Sequence, residues 1–230
     1  MKKYVVLTIF LLITIAGKQA DEVLYNVELQ DIEVVAEHPR NNFKYVSSYI
    51  ITYYDVCKEE QKLFNIPASI KMAQGMLESS YGRSHVATML NAHFCIKGSN
   101  ALSKKYYDKA EKSYDSYKGY ESSWWSFRDH SNLLVGRRDY VGKNTYTWIF
   151  SQDDISWDKY QEVLSSTNSW RKKRGLKPLK KISKWRFNRS PKYKKVAWSI
   201  HASGYATDLA YADKLIKIIE KYSLYEMDKK

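Results

Sequence analysis

The sequence predicts a mainly α (α+β) fold, a helical domain that carries one small β element. In several stretches apolar side chains recur every three or four residues, the spacing of a buried helix face. Residues 99–117 alternate instead and carry paired tyrosines, which is typical of a β-hairpin. The chain has 230 residues, enough for one medium domain with a real core and some additional segments.

The first 20 residues are typical of a secretory signal peptide. Lys2 and Lys3 precede an apolar run over residues 4–16, which is short for a bilayer span. An uncleaved membrane anchor is the alternative interpretation. Residues 21–40 contain six acidic side chains and are interpreted as an arm or linker. We therefore expect an exported protein (periplasm, cell envelope or extracellular) with its domain at 41–228 and no stable membrane span after signal cleavage.

The helices are predicted from periodicity and from residues that start or stop helices. The first runs from about residue 41 to 64, with a face of tyrosines and a valine at positions 45, 49, 53 and 56. In the second, Pro67 suits the first turn because a missing N–H costs nothing there, and Gly82 suits the position past the end. Residues 84–91 suit a short helix. Further helices are predicted over 121–141, 194–203 and beyond Asp208, which can cap the last one.

Glu78 ends the second helix beside its apolar stripe. It is the only acid between Glu60 and Asp108. Partial burial would raise the pKa of its carboxyl, and a general acid that works near neutral pH needs such a shift. The alternative is an ordinary surface glutamate in the last turn of an amphipathic helix.

Four blocks of sequence, in order, resemble the bacterial glucosaminidase domain, glycoside hydrolase family 73, over about residues 43–225. The blocks are AQGMLESSYGRS (73–84), NAHFCIKG (91–98), YDSY (114–117) with SFRDHSNLL (126–134), and GYATD (204–208) with YADKL (211–215). The resemblance implies a lysozyme-like helical domain with a small β-lobe flanking the cleft. It also assigns the role of catalytic acid to Glu78.

The resemblance implies further site residues. The family often has a second acid in its β-lobe, and Asp108 and Glu111 are equal candidates here; without either, the substrate's 2-acetamido group would act as nucleophile. Tyr205 is carried over as a catalytic tyrosine that positions the acetamido group or a water, and a packing tyrosine is the alternative. The residues expected to bind substrate are Gln74, Tyr81, Asn91, Phe94, Tyr114, Tyr117 and Tyr211.

Residues 142–190 depart from the family pattern and are interpreted as a basic, aromatic insertion. The stretch 171–195 contains thirteen Lys or Arg, and no acid occurs from Val163 to Thr207. In an exported protein such a stretch favours anionic envelope polymers, lipopolysaccharide phosphates or peptidoglycan carboxylates, through attraction that weakens with salt. A solvated basic loop is the alternative. Basic and aromatic residues also bind single-stranded nucleic acid, but no nucleic acid is expected for an exported protein.

The cysteines and histidines indicate no metal or cofactor. Cys57 and Cys95 are either one disulfide or two free thiols. The chain has no Cys-x-x-Cys pair and no histidine-rich cluster. We expect His93 to be structural.

The function that the resemblance implies is that of an exported endo-β-N-acetylglucosaminidase without a cofactor. It would cleave the β-1,4 bond after N-acetylglucosamine in peptidoglycan glycan strands. Muramidase action, lytic transglycosylation and a non-catalytic cell-wall-binding protein on a hydrolase scaffold are the alternatives. An amidase has no support, because the usual zinc ligands or a Cys/His pair in a suitable context are missing.

Overall fold

The computed structural model describes residues 42–108, 113–136, 146–151 and 153–229. The predicted signal peptide and the acidic arm lie outside these ranges, as does Glu111. Among the described residues, no helix is long and apolar enough to cross a membrane.

Nine α-helices and one two-stranded antiparallel sheet lie in the described ranges, so the predicted mainly α fold with a small β element is confirmed. The elements in chain order are α1 (Asn42–Phe64), α2 (Ala68–Glu78), α3 (His85–Leu90), β1 (Lys104–Asp108), β2 (Ser113–Tyr117), α4 (Ser123–Leu134), α5 (Thr147–Phe150), α6 (Trp157–Lys173), α7 (Lys184–Asn188), α8 (Lys192–Ala202), α9 (Tyr211–Lys221) and a 3₁₀ helix (Leu224–Asp228).

Helix α2 lies at the centre of the domain, in contact with α1, α8, α9 and the 3₁₀ helix. Every residue from Ala68 to Met76 is buried, so burial extends beyond the apolar stripe that the sequence predicts. Other elements cover the polar face as well as the apolar one, and only the last turn, Leu77 and Glu78, remains partly exposed. The consequence is that three polar side chains of this helix, Ser69, Lys71 and Gln74, are fully buried.

The N-terminal end of α2 is capped by a residue far away in the sequence. Asp228 accepts hydrogen bonds from the backbone N–H of Ser69 at 2.8 Å and from its hydroxyl at 2.6 Å. Pro67 immediately precedes the helix, as predicted, and cannot donate an N–H there. A carboxylate at this position satisfies an unpaired N–H and complements the positive end of the helix dipole.

Helix α1 forms one side of the core. Tyr49 is buried, and its hydroxyl would lie 2.6 Å from a Cβ added at Gly75, so glycine permits this close approach of α1 to α2. Tyr45, which was predicted on the buried face, is instead 49% exposed, and the Arg83 guanidinium lies 4.7 Å from its ring centroid.

The predicted hairpin is present. Strands β1 and β2 pair from Lys104 opposite Tyr117 to Asp108 opposite Ser113. Tyr107 and Tyr114 are paired on one face, with ring centroids 5.3 Å apart, and both are largely exposed.

Helix α4 is shorter than the predicted helix over 121–141. It ends at Leu134, because Gly136 adopts a φ of +69°, a left-handed conformation that does not continue a helix. The rest of the predicted segment, from residue 137, lies outside the described residues.

The region predicted as a basic, aromatic insertion contains three helices, α5 to α7, and is not a loop. Apolar side chains from it, including Ile149, Tyr160 and Phe187, are buried in the same core as α8. Phe187 stacks on Tyr160 at 4.7 Å and lies 6.0 Å from Trp198. The basic side chains therefore project from a packed scaffold.

Both cysteines are free thiols, so of the two alternatives the structure favours free thiols over a disulfide. Cys57 is fully buried in the core, and Cys95 is partly buried near Glu78.

Candidate active site

The carboxyl group of Glu78 lies at the C-terminal end of α2, where the buried helix meets the surface. The three residues after Ser79 (Ser80, Tyr81 and Gly82) all have positive φ, so the backbone turns away sharply. Ser79 secures this turn, because its hydroxyl donates to the Gly75 carbonyl at 2.6 Å and accepts from the Gly82 N–H at 2.7 Å. These contacts hold two non-glycine residues, Ser80 and Tyr81, in the left-handed region of φ. Residues in such sparsely populated conformations are frequent at functional sites.

A hydrogen-bond chain leads from the buried side of α2 to the Glu78 carboxyl. The Gln74 amide Nε2 donates to the Tyr211 hydroxyl at 3.1 Å, and that hydroxyl donates to Glu78 Oε1 at 2.9 Å. Burial raises the pKa of Glu78, while the bond from Tyr211 lowers it in part. The pKa is raised overall, as the sequence predicts for a general acid.

Replacing Tyr211 with phenylalanine is expected to shift the alkaline limb of the kcat–pH profile to higher pH, by about one unit. The hydroxyl stabilises the ionised carboxylate, so its loss raises the pKa of Glu78 further. A general acid must be protonated, and a higher pKa keeps it so to higher pH. The profile can be measured by dye release from labelled peptidoglycan.

A matched control is Tyr193→Phe, which removes another tyrosine–glutamate bond, to Glu220, in a different part of the domain. It should leave the alkaline limb in place. A limb that stays fixed or moves to lower pH in Tyr211→Phe would contradict the expectation.

Tyr205 lies beside this chain, with its ring stacked on that of Tyr211 at 5.3 Å. Its hydroxyl is 2.9 Å from His130 Nε2, and His130 Nδ1 is 2.8 Å from Lys71 Nζ. Burial raises the pKa of Tyr205 well above its ordinary value, and the Tyr211 and Glu78 groups add to the shift. The phenol therefore stays protonated and can act as a hydrogen-bond donor.

Four of the residues expected to bind substrate have contacts within the fold instead. Gln74 is fully buried and reaches the acid through Tyr211, which is itself only 4% exposed. Phe94 is buried and stacks on His130 at 3.9 Å. Asn91 ends α3 in a left-handed conformation and donates to the Tyr120 carbonyl at 3.0 Å.

Three further tyrosines are more open. Tyr81 is partly exposed in the turn after α2, and Tyr222 is its hydrogen-bond partner. Tyr114 is 71% exposed on the hairpin, whereas Tyr117 is partly buried, 6.3 Å from Tyr106. The hairpin is connected to the acid through the 95–97 segment: the Cys95 thiol donates to the Glu78 carbonyl at 3.6 Å, and Lys97 pairs with Tyr117.

The two candidates for a second carboxylate stay predictions. Asp108 is the last residue of β1, opposite Ser113. Glu111 lies outside the described residues.

His93 has the contacts of a structural residue. It is buried, with its ring nitrogens 2.9 Å and 3.1 Å from the hydroxyls of Tyr49 and Tyr53. Burial lowers its pKa to about 4, so it stays neutral. In the described part of the chain, no group of three or more His, Cys, Asp or Glu is placed to hold a metal ion.

Sequence reasoning did not identify Lys71 as a part of the site. It lies seven residues before Glu78, on the same face of α2. A lysine on the face that carries the acid was the available signal, but lysines on helices are usually exposed.

Comparison of the sequence with known proteins identifies a matching family and a curated relative. The model of a family described as mannosyl-glycoprotein endo-beta-N-acetylglucosaminidase (glucosaminidase) matches residues 54–224. The exo-glucosaminidase LytG of Bacillus subtilis strain 168 is 29% identical over 167 residues, which are 72% of this chain and 47% of LytG. The chain thus matches about half the length of this curated relative.

Solved structures with a similar fold include two bacterial proteins. The catalytic domain of the autolysin Auto from Listeria monocytogenes superimposes with a TM-score of 0.54 at 20% identity, covering 90% of this chain and all of that domain. An N-acetylmuramoyl-L-alanine amidase from Staphylococcus aureus gives 0.54 at 21% identity, over 81% of this chain and 44% of that one. These likenesses show the fold, which is the lysozyme-like one predicted. With the family match extending over residues 54–224, the chain belongs to the glucosaminidase family, as the four sequence blocks predicted.

Proposed function

We propose that this protein is an exported peptidoglycan hydrolase, an endo-β-N-acetylglucosaminidase that uses Glu78 as its general acid. One observation carries the proposal: a partly buried carboxyl with a raised pKa lies where the central helix reaches the surface, hydrogen-bonded by Tyr211. The glucosaminidase family and the relatedness to LytG support peptidoglycan as the substrate.

Glu78 would donate its proton to the glycosidic oxygen as the bond to the anomeric carbon breaks and an oxocarbenium-like transition state develops. The carboxyl becomes a carboxylate in this step, and Tyr211 donates to one of its oxygens. The same hydrogen bond therefore stabilises the acid after it has lost its proton. A partly desolvated carboxyl with one fixed hydrogen-bond donor is suited to both the protonated and the ionised state.

Tyr205 is proposed to contact the sugar next to this acid. Its phenol stays protonated because burial and the nearby Glu78 raise its pKa. A donor at this position would hold the 2-acetamido group or a water for attack on the anomeric carbon. Either Asp108 or Glu111 would complete a pair of carboxylates, and the acetamido group would serve as nucleophile if neither reaches the site.

Digestion of purified peptidoglycan tests the bond that is cleaved. Mass spectrometry after borohydride reduction is expected to show N-acetylglucosaminitol at the new reducing ends. Reduced N-acetylmuramic acid would indicate a muramidase instead, and anhydro ends would indicate a lytic transglycosylase. Either result would overturn the proposed specificity, because the family assignment alone does not fix the linkage.

We also propose that the basic stretch 171–195 holds the enzyme on anionic envelope polymers. Trp170 and Trp185 are 47% and 67% exposed, with the guanidinium groups of Arg174 and Arg189 at 4.1 Å and 4.7 Å from their rings. Paired flat rings and fixed cations suit a sugar polymer that carries carboxylates or phosphates. Retention on wall sacculi would fall as salt rises, and retention that is independent of salt would argue against an electrostatic role.

A further inference from the structure

We propose that Lys71 and His130 are positioning residues that fix the direction of the hydrogen bond at Tyr205, so that its hydroxyl hydrogen points toward substrate bound beside Glu78. The inference deepens the proposed function and rests on it. Three hydrogen-bonded side chains form the arrangement: Lys71 of the central helix, His130 of α4, and Tyr205 in the turn before α9.

The hydrogen bonds run without a break from Lys71 through His130 to Tyr205, and the first two residues are fully buried. Lys71 and His130 are both 0% exposed. Lys71 Nζ lies 2.8 Å from His130 Nδ1, and His130 Nε2 lies 2.9 Å from the Tyr205 hydroxyl. Phe94 stacks face to face on the imidazole at 3.9 Å and fixes the plane of the ring.

The Lys71 ammonium determines which group donates and which accepts in each of these hydrogen bonds. A lysine ammonium has donors only, so His130 Nδ1 must accept from it. Burial and the neighbouring Lys71 charge lower the pKa of His130 well below its ordinary value, and the ring is neutral with its one proton on Nε2. That proton is donated to the Tyr205 oxygen. Since the Tyr205 oxygen accepts from the imidazole, its own hydrogen is directed elsewhere.

The surroundings of Tyr205 contain no described acceptor that bonds this hydrogen. Its ring stacks on Tyr211, whose hydroxyl is bonded to Glu78, and Tyr146 covers it at 5.8 Å. Among the described residues, His130 alone forms a hydrogen bond with the Tyr205 hydroxyl. The hydrogen is thus left for an oxygen of the ligand, and a substrate sugar has carbonyl and hydroxyl oxygens to accept it.

Lys71 is an ammonium below about pH 7, the range in which it can only donate to His130. Glu60, also fully buried, stabilises the ammonium. Arg128 opposes the charge and itself pairs with Glu60 at 2.8 Å. Burial outweighs these effects and lowers the pKa of Lys71 to about 7. An ammonium in such a place is costly, and a neutral apolar side chain would fill the same space more cheaply.

A double-mutant cycle tests the inference. Tyr205→Phe and Lys71→Met are each expected to lower kcat/KM on soluble glycan fragments about tenfold, measured at pH 6. If Lys71 acts through Tyr205, the double variant will be no worse than Tyr205→Phe alone. Independent roles would instead multiply to about 100-fold, and this result would overturn the inference.

Direct observation of the imidazole is a second test that needs no variant to fold. Long-range ¹⁵N–¹H NMR spectra of the wild-type protein distinguish the two neutral tautomers of each of the five histidines. His130 is expected in the Nε2–H form. The Nδ1–H form would mean that the chain runs in the opposite direction, and the inference would fail.

Two further variants distinguish the positioning role from a general loss of stability and from a failure of the proposed function. Lys58→Met removes a lysine that donates to the Met227 carbonyl at 2.8 Å, and it should lower the melting temperature without changing kcat/KM. If Glu78→Gln remains active, the proposed function itself fails. If Glu78→Gln is inactive while Lys71→Met and Tyr205→Phe are multiplicative, only the positioning role fails.

Discussion

Glu78→Gln is expected to lower kcat on peptidoglycan by about 10²–10⁴-fold, the usual contribution of general acid catalysis. Glutamine has nearly the shape of glutamate and can still accept the hydrogen bond from Tyr211, so the site should stay folded. It has no proton to give to the leaving oxygen. Turnover can be followed as release of soluble fragments, and binding as sedimentation with sacculi.

The matched control is Glu162→Gln on α6, which removes an exposed carboxylate paired with Lys159 at 2.7 Å. This variant should digest sacculi at the wild-type rate. Binding in Glu78→Gln should be retained, since the variant loses only the proton transfer. Equal clearing of sacculi by the wild type and Glu78→Gln would remove Glu78 from the mechanism. Binding by both proteins with clearing by neither would favour a wall-binding protein on a hydrolase scaffold.

Phe127→Ala is expected to reduce the free energy of unfolding by about 3–5 kcal/mol. Phe127 is 0% exposed and stacks on Tyr53 at 4.9 Å, with Phe94 edge-on at 4.8 Å. Truncation leaves a cavity between α1, α2 and α4 that these rings cannot fill by small shifts. Denaturation in urea, followed by circular dichroism, measures the change.

Trp125→Ala is the control on the same helix. Trp125 is 50% exposed, and its truncation should cost less than about 1 kcal/mol. A loss of similar size in both variants would mean that Phe127 is not a central part of the core. Because Phe94 also stacks on His130, Phe127→Ala should lower activity as well as stability.

The central helix shows what the sequence could predict and what it could not. Proline at the start and the helical spacing of apolar residues predicted α2, and the isolated carboxyl at its end made Glu78 the candidate acid. The burial of Lys71 and Gln74 could not be predicted, because both are polar residues on a helix, and such residues are normally solvated. Lys71 is buried against His130 of α4 and Gln74 against Tyr211 of α9, residues that lie 59 and 137 positions later and leave no trace in the local sequence pattern.

The local sequence pattern was least informative about helices in the predicted insertion, residues 142–190. Helix α6 is rich in polar and charged residues, and its buried side chains, Tyr160, Leu164 and Arg171, form a narrow stripe. Such a weak stripe does not predict a helix by itself. Its stability comes from contacts with α8 and from Arg171, which donates to the Lys177 carbonyl at 2.7 Å and to the Thr207 carbonyl at 3.3 Å. The second of these contacts connects the insertion to the turn that carries Tyr205.

The bond between Asp228 and Ser69 has a consequence for biosynthesis. The two residues are 159 positions apart, so on a ribosome that adds about 5–20 residues per second they emerge roughly 8–30 s apart. During that interval the helix that ends in Glu78 lacks the carboxylate that satisfies its first turn. Helix α2 therefore acquires this cap only after residue 228 has emerged, long after its own residues have left the ribosome.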